Sequence, residues 1–504
     1  MNRRDFLKIF ASSLFVGNVT GISSAVAGDS WKKEFAAALA EKPWLLGYEG
    51  VPGKDFEETK LKQTGALPEN LRGILYRNGP AQHVVGDMRY HHWFDGDGLV
   101  NAFRFSDQGV THKGRFVRTA KFRSETDTGY AIEQGFGTAL PSMRPPPNND
   151  AVNVANINVI AHGGELLALW EGGSAYRLDP DTLDTLGLKT WSAETKGLPF
   201  SAHPRRDATG TLWNFGYATS FSALIVYQIA ASGKLKNVNL IKLPYSSMVH
   251  DFMVTEKNLV FILPPFHYNS TKQGSFLNRF EWRPERGGIA LVVDKNDLSN
   301  VREIEIPPFW VFHFANAYDE PDGSIAFSCP MYQTPEVMTH GFKNIMRGRE
   351  IGTVGSRFMS GQLHPGKGSF AYNEISEAAA SEFPRIDDRW QGNRARLSFL
   401  MKSSGELSDV GFDRVCRLDQ ETGALTFFQF GNEEQAEEHV FVPDPRGDKE
   451  GQGWLVGTSL DFKRRRMSLN VFDAEKLVNG PIARFETSFP LPLGLHGNFV
   501  PMSS

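Results

Sequence analysis

Cysteines and long runs of one charge are both scarce in this 504-residue sequence. The two cysteines, Cys329 and Cys416, are far apart, so they do not form the closely spaced pairs that bind metals. We expect two buried, unpaired thiols, with a disulfide as the alternative. The 54 basic and 58 acidic residues leave a net charge of −4, and the one tight basic cluster, residues 463–466, is expected to be a solvated turn. These features predict no nucleic-acid partner.

Long apolar runs and long helical patterns are also scarce. Past the N-terminal segment, no stretch is long and apolar enough to span a bilayer. One amphipathic helix is predicted over residues 31–41, and residues 369–384 are expected to include a short alanine-rich helical insert over one face. Most of the remaining pattern consists of short apolar runs between turn residues, which predicts an all-β fold. These runs lie at residues 73–76, 166–170, 259–263, 289–293, 425–428 and 453–457.

Four similar acidic turns follow strand-like segments, at residues 178–183, 293–298, 418–423 and 472–477. Such turns often join neighbouring strands within one blade of a β-propeller, a closed fold in which a single domain can become long. No Gly/Ser-rich linker divides the chain. We therefore expect residues 28–504 to form a single β-propeller domain.

Residues 1–27 have the pattern of an export signal rather than of a folded element. Arg3 and Arg4 are followed, after Asp5, by Phe-Leu-Lys, which is typical of a twin-arginine signal. A weakly apolar stretch then ends in an Ala-Val-Ala cleavage motif. The sequence predicts passage through the twin-arginine translocase and a periplasmic or otherwise exported mature protein. An uncleaved N-terminal anchor is the alternative.

Four of the thirteen histidines stand in largely apolar runs, where a lone imidazole needs a partner. Local metal motifs place their ligands a few residues apart, whereas these four are distant in sequence. Inner strands of successive propeller blades meet at the axis, so histidines from different blades can reach one centre. A structural histidine is the alternative for each one alone, and the ligand type alone allows zinc, copper, iron or nickel. The four are His203, His250, His313 and His496.

Other histidines stand near turns or in polar surroundings and are not predicted to bind a metal. They include His83, His112, His162, His267, His340 and His364.

Several motifs occur in one order along nearly all of the mature chain. They lie at residues 76–80, 92–98, 171, 178–183, 249–252, 311–317, 382–386, 438–443 and 495–499. This ordered set resembles the carotenoid cleavage oxygenase family, which also includes lignostilbene dioxygenases and retinoid isomerases. The resemblance implies a seven-bladed β-propeller, with a cap of loops and short helices over one face.

The resemblance also implies that His203, His250, His313 and His496 bind one Fe(II), with no catalytic side chain beyond these ligands. A carboxylate behind a ligating imidazole fixes its tautomer and its direction. In this family such carboxylates accept hydrogen bonds from three of the ligands, here expected to be His250, His313 and His496, in a pairing that the sequence leaves open. They correspond to Glu171, Glu382 and Glu438, the last followed by His439 where the family usually has proline.

The implied reaction is cleavage of a conjugated double bond of a carotenoid or apocarotenoid by O₂, with peripheral membrane contact possible during substrate uptake. A stilbenoid substrate is the alternative within the family; its phenol would need a polar anchor, for which Asn101 and Lys121 are candidates. An isomerase is a further alternative. A propeller hydrolase or lyase acting on sugars, or a non-catalytic periplasmic binder, are the alternatives from other classes.

The export signal predicts that exchanging both arginines for lysine traps the precursor in the cytoplasm although its charge is unchanged. Lysine lacks the planar fork of the guanidinium group, and the general secretory route does not need that fork. Cell fractionation of Arg3→Lys/Arg4→Lys measures the distribution, with Lys8→Arg as the exported control. Mature protein outside the inner membrane at normal levels in the double variant would refute the twin-arginine assignment.

Overall fold

The computed structural model describes residues 30–352, 355–405 and 411–502. The predicted signal, residues 1–27, lies outside these ranges. Within them, all named strand pairs are antiparallel, and the strands are β1 (Phe56–Lys60), β2 (Lys62–Gly65), β3 (Gly73–Gln82), β4 (Val84–Val85), β5 (Met88–Arg89), β6 (Asp97–Ser106), β7 (Gly109–Phe116), β8 (Asn158–His162), β9 (Glu165–Leu169), β10 (Tyr176–Leu178), β11 (Thr185–Leu188), β12 (Arg205–Arg206), β13 (Leu212–Ala218), β14 (Ala223–Ile229), β15 (Leu235–Lys242), β16 (Met253–Val254), β17 (Asn258–Leu263), β18 (Phe266–Tyr268), β19 (Phe280–Trp282), β20 (Gly288–Asp294), β21 (Val301–Ile306), β22 (Asn316–Asp319), β23 (Ile325–Met331), β24 (Arg357–His364), β25 (Ser369–Glu374), β26 (Ser381–Arg385), β27 (Leu397–Lys402), β28 (Arg414–Asp419), β29 (Leu425–Gln429), β30 (Glu434–Pro443), β31 (Gly453–Asp461), β32 (Arg466–Asp473), β33 (Ala483–Glu486) and β34 (His496–Pro501).

Seven sheets of four or five strands form the blades of the β-propeller, as predicted. From the axis outwards, blade 1 is β34-β3-β6-β7-β1, blade 2 is β8 to β11, and blade 3 is β12 to β15. Blade 4 is β16-β17-β20-β21, blade 5 is β22 to β25, blade 6 is β26 to β29, and blade 7 is β30 to β33 followed by β2. Inner strands of different blades contact one another, among them β34 with β8 and β30 with β34. The remaining pairs, β4-β5 and β18-β19, are small hairpins outside the blades.

Both ends of the described chain close the ring. Strand β2 pairs with β33 in blade 7, and the C-terminal β34 pairs with β3 in blade 1, where His496 lies opposite Asn78. The approach is close, because a Cβ atom on Gly79 would lie 2.4 Å from the Cα atom of Gly494. These pairings tie the first and last blades to the two ends of the described chain and place His496 at the axis.

The apolar runs identified in the sequence all fall within or overlap strands, and the acidic turns have a common place in the blades. Each joins the third and fourth strands of its blade, counted from the axis, after β10, β20, β28 or β32. In each turn the first aspartate accepts a hydrogen bond from the backbone N–H two residues later. These aspartates are Asp179 (2.9 Å), Asp294 (2.8 Å), Asp419 (3.1 Å) and Asp473 (3.0 Å).

The prediction of a helical insert at residues 369–384 is wrong. The segment contains strands β25 and β26, with only a single 3₁₀ turn, Ser376–Ala378, between them. A few alanines are too short a segment to nucleate a helix in the absence of packing. Ala380 adopts a left-handed φ of 57° that ends the turn before β26 begins. The segment thus connects blade 5 to blade 6.

The other sequence expectations concern cysteines and the basic cluster. Cys329 and Cys416 are buried and free. Residues 463–465 form an exposed turn between β31 and β32, Arg466 begins β32, and Arg464 pairs with Glu486 at 2.7 Å. Both expectations are confirmed. Among the described residues, no helix has the length and apolar character needed to cross a membrane.

Short helices and turns form the cap over one end of the axis. The predicted N-terminal helix is present as α1 (Ser30–Glu41), followed by α2 (Leu46–Glu49), α3 (Ala120–Thr128) and α4 (Phe342–Met346). The buried Arg89 donates hydrogen bonds to the carbonyl oxygens of Tyr48, Glu49 and Met346 and stacks on Phe35 at 3.5 Å. One guanidinium group therefore joins α1, α2 and α4.

A turn in the cap, Trp93–Asp95, is fixed by a buried carboxylate. Asp95 accepts hydrogen bonds from the N–H groups of Phe136 (2.7 Å) and Gly137 (3.1 Å) and from the Thr138 hydroxyl (2.6 Å). Burial raises the pKa of Asp95, against the lowering effect of these donors. The turn presents Trp93 and Phe94 toward the interior.

We expect Asp95→Ala to lower the free energy of unfolding by about 2–4 kcal/mol, because it leaves several buried donors without an acceptor. Chemical denaturation followed by circular dichroism measures the change. Asp87→Ala is the control: its side chain is 95% exposed, and its ion pair with Lys32 should contribute about 0.5 kcal/mol or less. Equal stability of the two variants would show that Asp95 does not fix the cap.

Candidate metal centre

Four histidines from four blades meet at the axis, at the cap end. His203, His250 and His313 shortly precede the inner strands β12, β16 and β22, and His496 begins β34. Their ring centroids are 4.6 Å apart for His203 and His250, 5.2 Å for His250 and His313, 4.7 Å for His313 and His496, and 4.8 Å for His203 and His496. The four predicted ligands therefore form a closed ring of imidazoles.

The ring nitrogens of three of these histidines suit a metal ion. His203, His250 and His313 each offer a nitrogen, and these atoms all lie within 4.8 Å of one another. The Nε2 atoms of His203 and His250 are 3.1 Å apart, and the buried Nε2 of His313 has no hydrogen-bond partner in the described part of the chain. His496 is not in this tightest group, although its ring adjoins two of the three. An ion among these lone pairs would satisfy nitrogens that the protein leaves unsatisfied.

The surroundings hold two of the four imidazoles, those of His203 and His496, in their neutral form. Burial and the neighbouring His250 lower the pKa of His203. Burial also lowers the pKa of His496 to about 4, although Glu438 opposes this effect. At His250 burial acts to lower the pKa, but Glu171 outweighs burial and raises it. Neutral imidazole is the form that binds metals.

Each predicted carboxylate lies behind one histidine, and the structure gives the pairing that the sequence left open. Glu171 accepts from Nδ1 of His250 at 2.7 Å, and Glu382 accepts from Nδ1 of His313 at 2.6 Å. Such a bond directs Nε2 toward the axis.

The third carboxylate completes the set despite the unusual residue after it. Glu438 accepts from Nδ1 of His496 at 2.9 Å, and the neighbouring His439 bonds instead to the Glu437 carbonyl oxygen at 2.8 Å. The exchange of proline for His439 therefore leaves this pair intact. His203 has no carboxylate partner among the described residues.

Irregular backbone places two of these glutamates. The ladder of β26 shifts register between Glu382 and Arg385, and that of β30 shifts between Ala436 and His439. Such bulges redirect side chains. Phe383 has a left-handed φ of 52°, an uncommon conformation for a bulky residue, and its ring stacks on His313 at 5.4 Å. The sequence alone does not predict these bulges.

A further layer of side chains contacts the carboxylates. The hydroxyl of Tyr217 donates to Glu171 at 3.0 Å, and that of Tyr332 donates to Glu382 at 3.2 Å. Arg385 donates to Glu438 at 2.9 Å. Sequence reasoning did not identify these three residues, although Arg385 belongs to one of the resembling segments.

Charge at the centre matches a divalent cation. Glu438 lies between Arg385 and His496; burial acts to raise its pKa, but these neighbours outweigh burial and lower it. Three carboxylates and the one guanidinium group of Arg385 leave a charge of −2 (−3 + 1), while Arg77 close by is matched by Glu437 at 3.4 Å. A divalent ion would bring the sum to zero.

An apolar cavity of about 360 Å³ leads from the cap to the histidines. It reaches His250, His313 and His496, and its described lining contains no lysine or arginine. Its aromatic and aliphatic wall includes Tyr48, Trp93, Phe94, Phe312, Val337 and Phe342. A cavity of this kind accepts an apolar ligand next to the centre.

Two further cavities adjoin the centre. One of about 630 Å³ reaches His203 and His496 from the other side and is polar, with Arg205, Arg385 and Asp388 in its wall. Another of about 460 Å³ lies behind Glu171. The centre therefore has an apolar side toward the cap and a polar side along the axis.

Some sequence expectations about other side chains need correction. His83 and His112, expected in polar surroundings near turns, are 1% and 0% exposed, and burial lowers the pKa of both. The candidate phenol anchors do not line the apolar cavity. Lys121 is buried against Asp97, Glu125 and Tyr90, and Asn101 bonds to His112 at 2.9 Å.

A seven-bladed propeller with axial histidines and an apolar access cavity is the architecture of an oxygenase. Solved structures similar to this chain include a cobalt-substituted form of Synechocystis ACO. The TM-score is 0.83 and the identity 27%, with coverage of 92% of this chain and 99% of that chain. The family model "Retinal pigment epithelial membrane protein" (RPE65) matches residues 52–501. The chain therefore belongs to this carotenoid cleavage oxygenase family and is an oxygenase.

The names of similar curated proteins refer to more than one kind of alkene substrate. The apocarotenoid-15,15'-oxygenase of Synechocystis sp. is 28% identical over 92% of this chain and 97% of its own length. The resveratrol cleavage oxygenase 1 of Aspergillus fumigatus is 26% identical, with coverages of 93% and 97%. The lignostilbene-alpha,beta-dioxygenase isozyme III of Sphingomonas paucimobilis is 27% identical, with coverages of 88% and 94%.

We expect His313→Ala to lose its metal and its activity with the fold intact, and Glu382→Gln to lower metal affinity by about 10–100-fold. Elemental analysis measures the metal content of each variant, and thermal unfolding followed by circular dichroism shows whether the fold is intact. His340→Ala and Glu374→Gln, both at exposed positions, are the matched controls. Full metal content in His313→Ala would refute the ligand assignment.

Proposed function

We propose that this oxygenase is an Fe(II)-dependent dioxygenase that cleaves a conjugated double bond of a carotenoid or apocarotenoid with O₂. The observation that carries the proposal is the apolar cavity that ends at three of the four clustered histidines. The products are two carbonyl compounds, because each carbon of the cleaved bond receives one oxygen atom of O₂. Both oxygen atoms are thus accounted for, and the alkene supplies the electrons, so that no external reductant enters the balance.

The residues of this chain bind and orient rather than transfer protons. Ferrous iron, when bound, supplies the activation of O₂. His203, His250, His313 and His496 would hold the ion, and the carboxylates behind three of them fix the tautomer and the direction of those rings. The aromatic wall excludes water and keeps the alkene next to the centre. The overall reaction of the alkene with O₂ requires no side chain that acts as an acid or a base.

Iron is favoured over other divalent ions by the family, while the charge of the centre suits any divalent ion. All four donors are imidazoles, without the thiolates that select zinc or cuprous ions, although intrinsic affinity runs against iron. Export through the twin-arginine route, which we propose from residues 1–27, moves a folded protein, so that iron can be inserted in the cytoplasm. Periplasmic localisation and peripheral membrane contact during substrate uptake belong to the same proposal.

A carotenoid-type substrate is favoured over a stilbenoid by the polarity of the cavity. Asn101 and Lys121, the sequence candidates for a phenol anchor, are engaged elsewhere. The described lining holds no cation that would bind a phenolate. Apolar area dominates the wall, which suits a long hydrocarbon chain.

The substrate and the metal are tested together. Protein made in iron-supplied cells should contain about one iron per chain. It should convert an apocarotenal to two carbonyl products that carry one ¹⁸O atom each when the reaction runs under ¹⁸O₂, analysed by mass spectrometry without exchange into water. A hydroxystilbene is the comparison substrate. Cleavage of the stilbene alone would overturn the substrate assignment, and activity with zinc alone would overturn the metal assignment.

A further inference from the structure

The cap holds one tyrosine rigidly at the wall of the apolar cavity. Tyr48 lies in α2 and is 6% exposed. Its carbonyl oxygen accepts a hydrogen bond from Arg89, and its ring meets Trp93 edge-on at 5.2 Å and Trp44 at 6.4 Å. Ring and backbone are therefore both fixed, while the residue faces the cavity.

The hydroxyl of Tyr48 makes no hydrogen bond to any residue that the structure describes, unlike three other hydroxyl groups of the cavity wall. Tyr332 donates to Glu382, Ser356 donates to the carbonyl oxygen of Ser381, and Ser381 donates to that of Ala378. The Tyr48 oxygen is not among the fully buried polar atoms that lack a partner, so it is accessible from the cavity. An oxygen on a bound ligand would give this hydroxyl an acceptor.

Glu437, the carboxylate near this hydroxyl, is already occupied. Its two oxygens accept from the Thr458 hydroxyl at 2.6 Å and from the Gly494 N–H group, and Arg77 lies 3.4 Å away. Burial, and then the charge of Glu437, raise the pKa of Tyr48, so that its hydroxyl stays protonated. The group is thus available to a ligand as a donor, and its natural partner is an acceptor oxygen.

Tyr48 is also held at a fixed place relative to the metal centre. Four ring contacts connect it to His250, through Trp93 (5.2 Å), Phe342 (5.4 Å), Phe312 (6.4 Å) and then His250 itself (5.6 Å). A ligand oxygen bound at Tyr48 would fix how far along a linear chain the double bond at the centre lies.

We propose that the Tyr48 hydroxyl donates a hydrogen bond to an oxygen at the end of the substrate, so that the enzyme selects polyenes that end in a carbonyl group over hydrocarbon carotenes. This inference rests on the proposed function and specifies its substrate class. A carbonyl oxygen matches a donor that stays protonated, whereas a methyl end leaves the hydroxyl unpaired. The anchored end then selects the double bond that is cleaved.

The test compares wild type with Tyr48→Phe on two polyenes of equal length, one ending in an aldehyde and one ending in a methyl group. The iron-loaded variant should lose about 10-fold in kcat/KM for the aldehyde through a higher KM, with kcat nearly unchanged. It should lose little for the hydrocarbon. Tyr130→Phe, at a side chain that is 62% exposed, is the control.

Dissociation constants from quenching of tryptophan fluorescence separate this inference from the proposed function. Tighter binding of the aldehyde by wild type than by Tyr48→Phe, without cleavage of either polyene, would support the anchor and refute the proposed function. Equal binding of the aldehyde by both proteins would overturn the anchor, whether or not cleavage occurs. An equal loss for both polyenes would also overturn it, because it would show a packing defect.

Discussion

The hydrogen bonds between carboxylates and imidazoles at the propeller axis are the interaction on which the rest of the structure depends. Each one joins two blades: Glu382 of blade 6 to His313 before blade 5, and Glu438 of blade 7 to His496 of blade 1. Each also turns the free nitrogen of a ring toward its neighbours. The same contacts therefore hold inner strands together and create the centre, so the fold and the site are not separable.

This arrangement places imidazoles close to one another and buries three carboxylates nearby, so that the negative charge of the carboxylates has to be compensated. Neutral imidazoles can lie close together. Three buried carboxylates need hydrogen-bond donors or a cation nearby, because without them each would be protonated or unpaired. Tyrosine hydroxyls contact two of them, and Arg385 contacts the third. The remaining negative charge leaves the centre incomplete without a cation. That imbalance, together with the unsatisfied Nε2 of His313, is the physical argument for a metal.

Local chemistry explains which parts of the structure were predictable from the sequence. Apolar runs became strands, and aspartates such as Asp179 and Asp419 formed the turns between outer strands, because both features depend on neighbours in sequence. The pairing of Glu171 with His250 depends on residues 79 positions apart. Bulges such as the one after Glu382 depend on tertiary packing, so no local pattern predicts them. The resemblance supplied the ligand set, but not the tyrosines behind it.

The burial of polar groups also explains why the polarity of the local sequence gave wrong expectations for two histidines. His83 and His112 stand in polar sequence yet lie in the interior, while the apolar neighbourhood of His313 surrounds a polar centre. Polarity in this molecule changes across a short distance, from an aromatic wall on the cap side to arginines and aspartates along the axis. The first side offers water few hydrogen-bond partners, whereas the second offers several. Under the proposed function, an apolar alkene and O₂ would both partition toward the first side, so the asymmetry of the two cavities would set the direction from which the reactants reach the histidines.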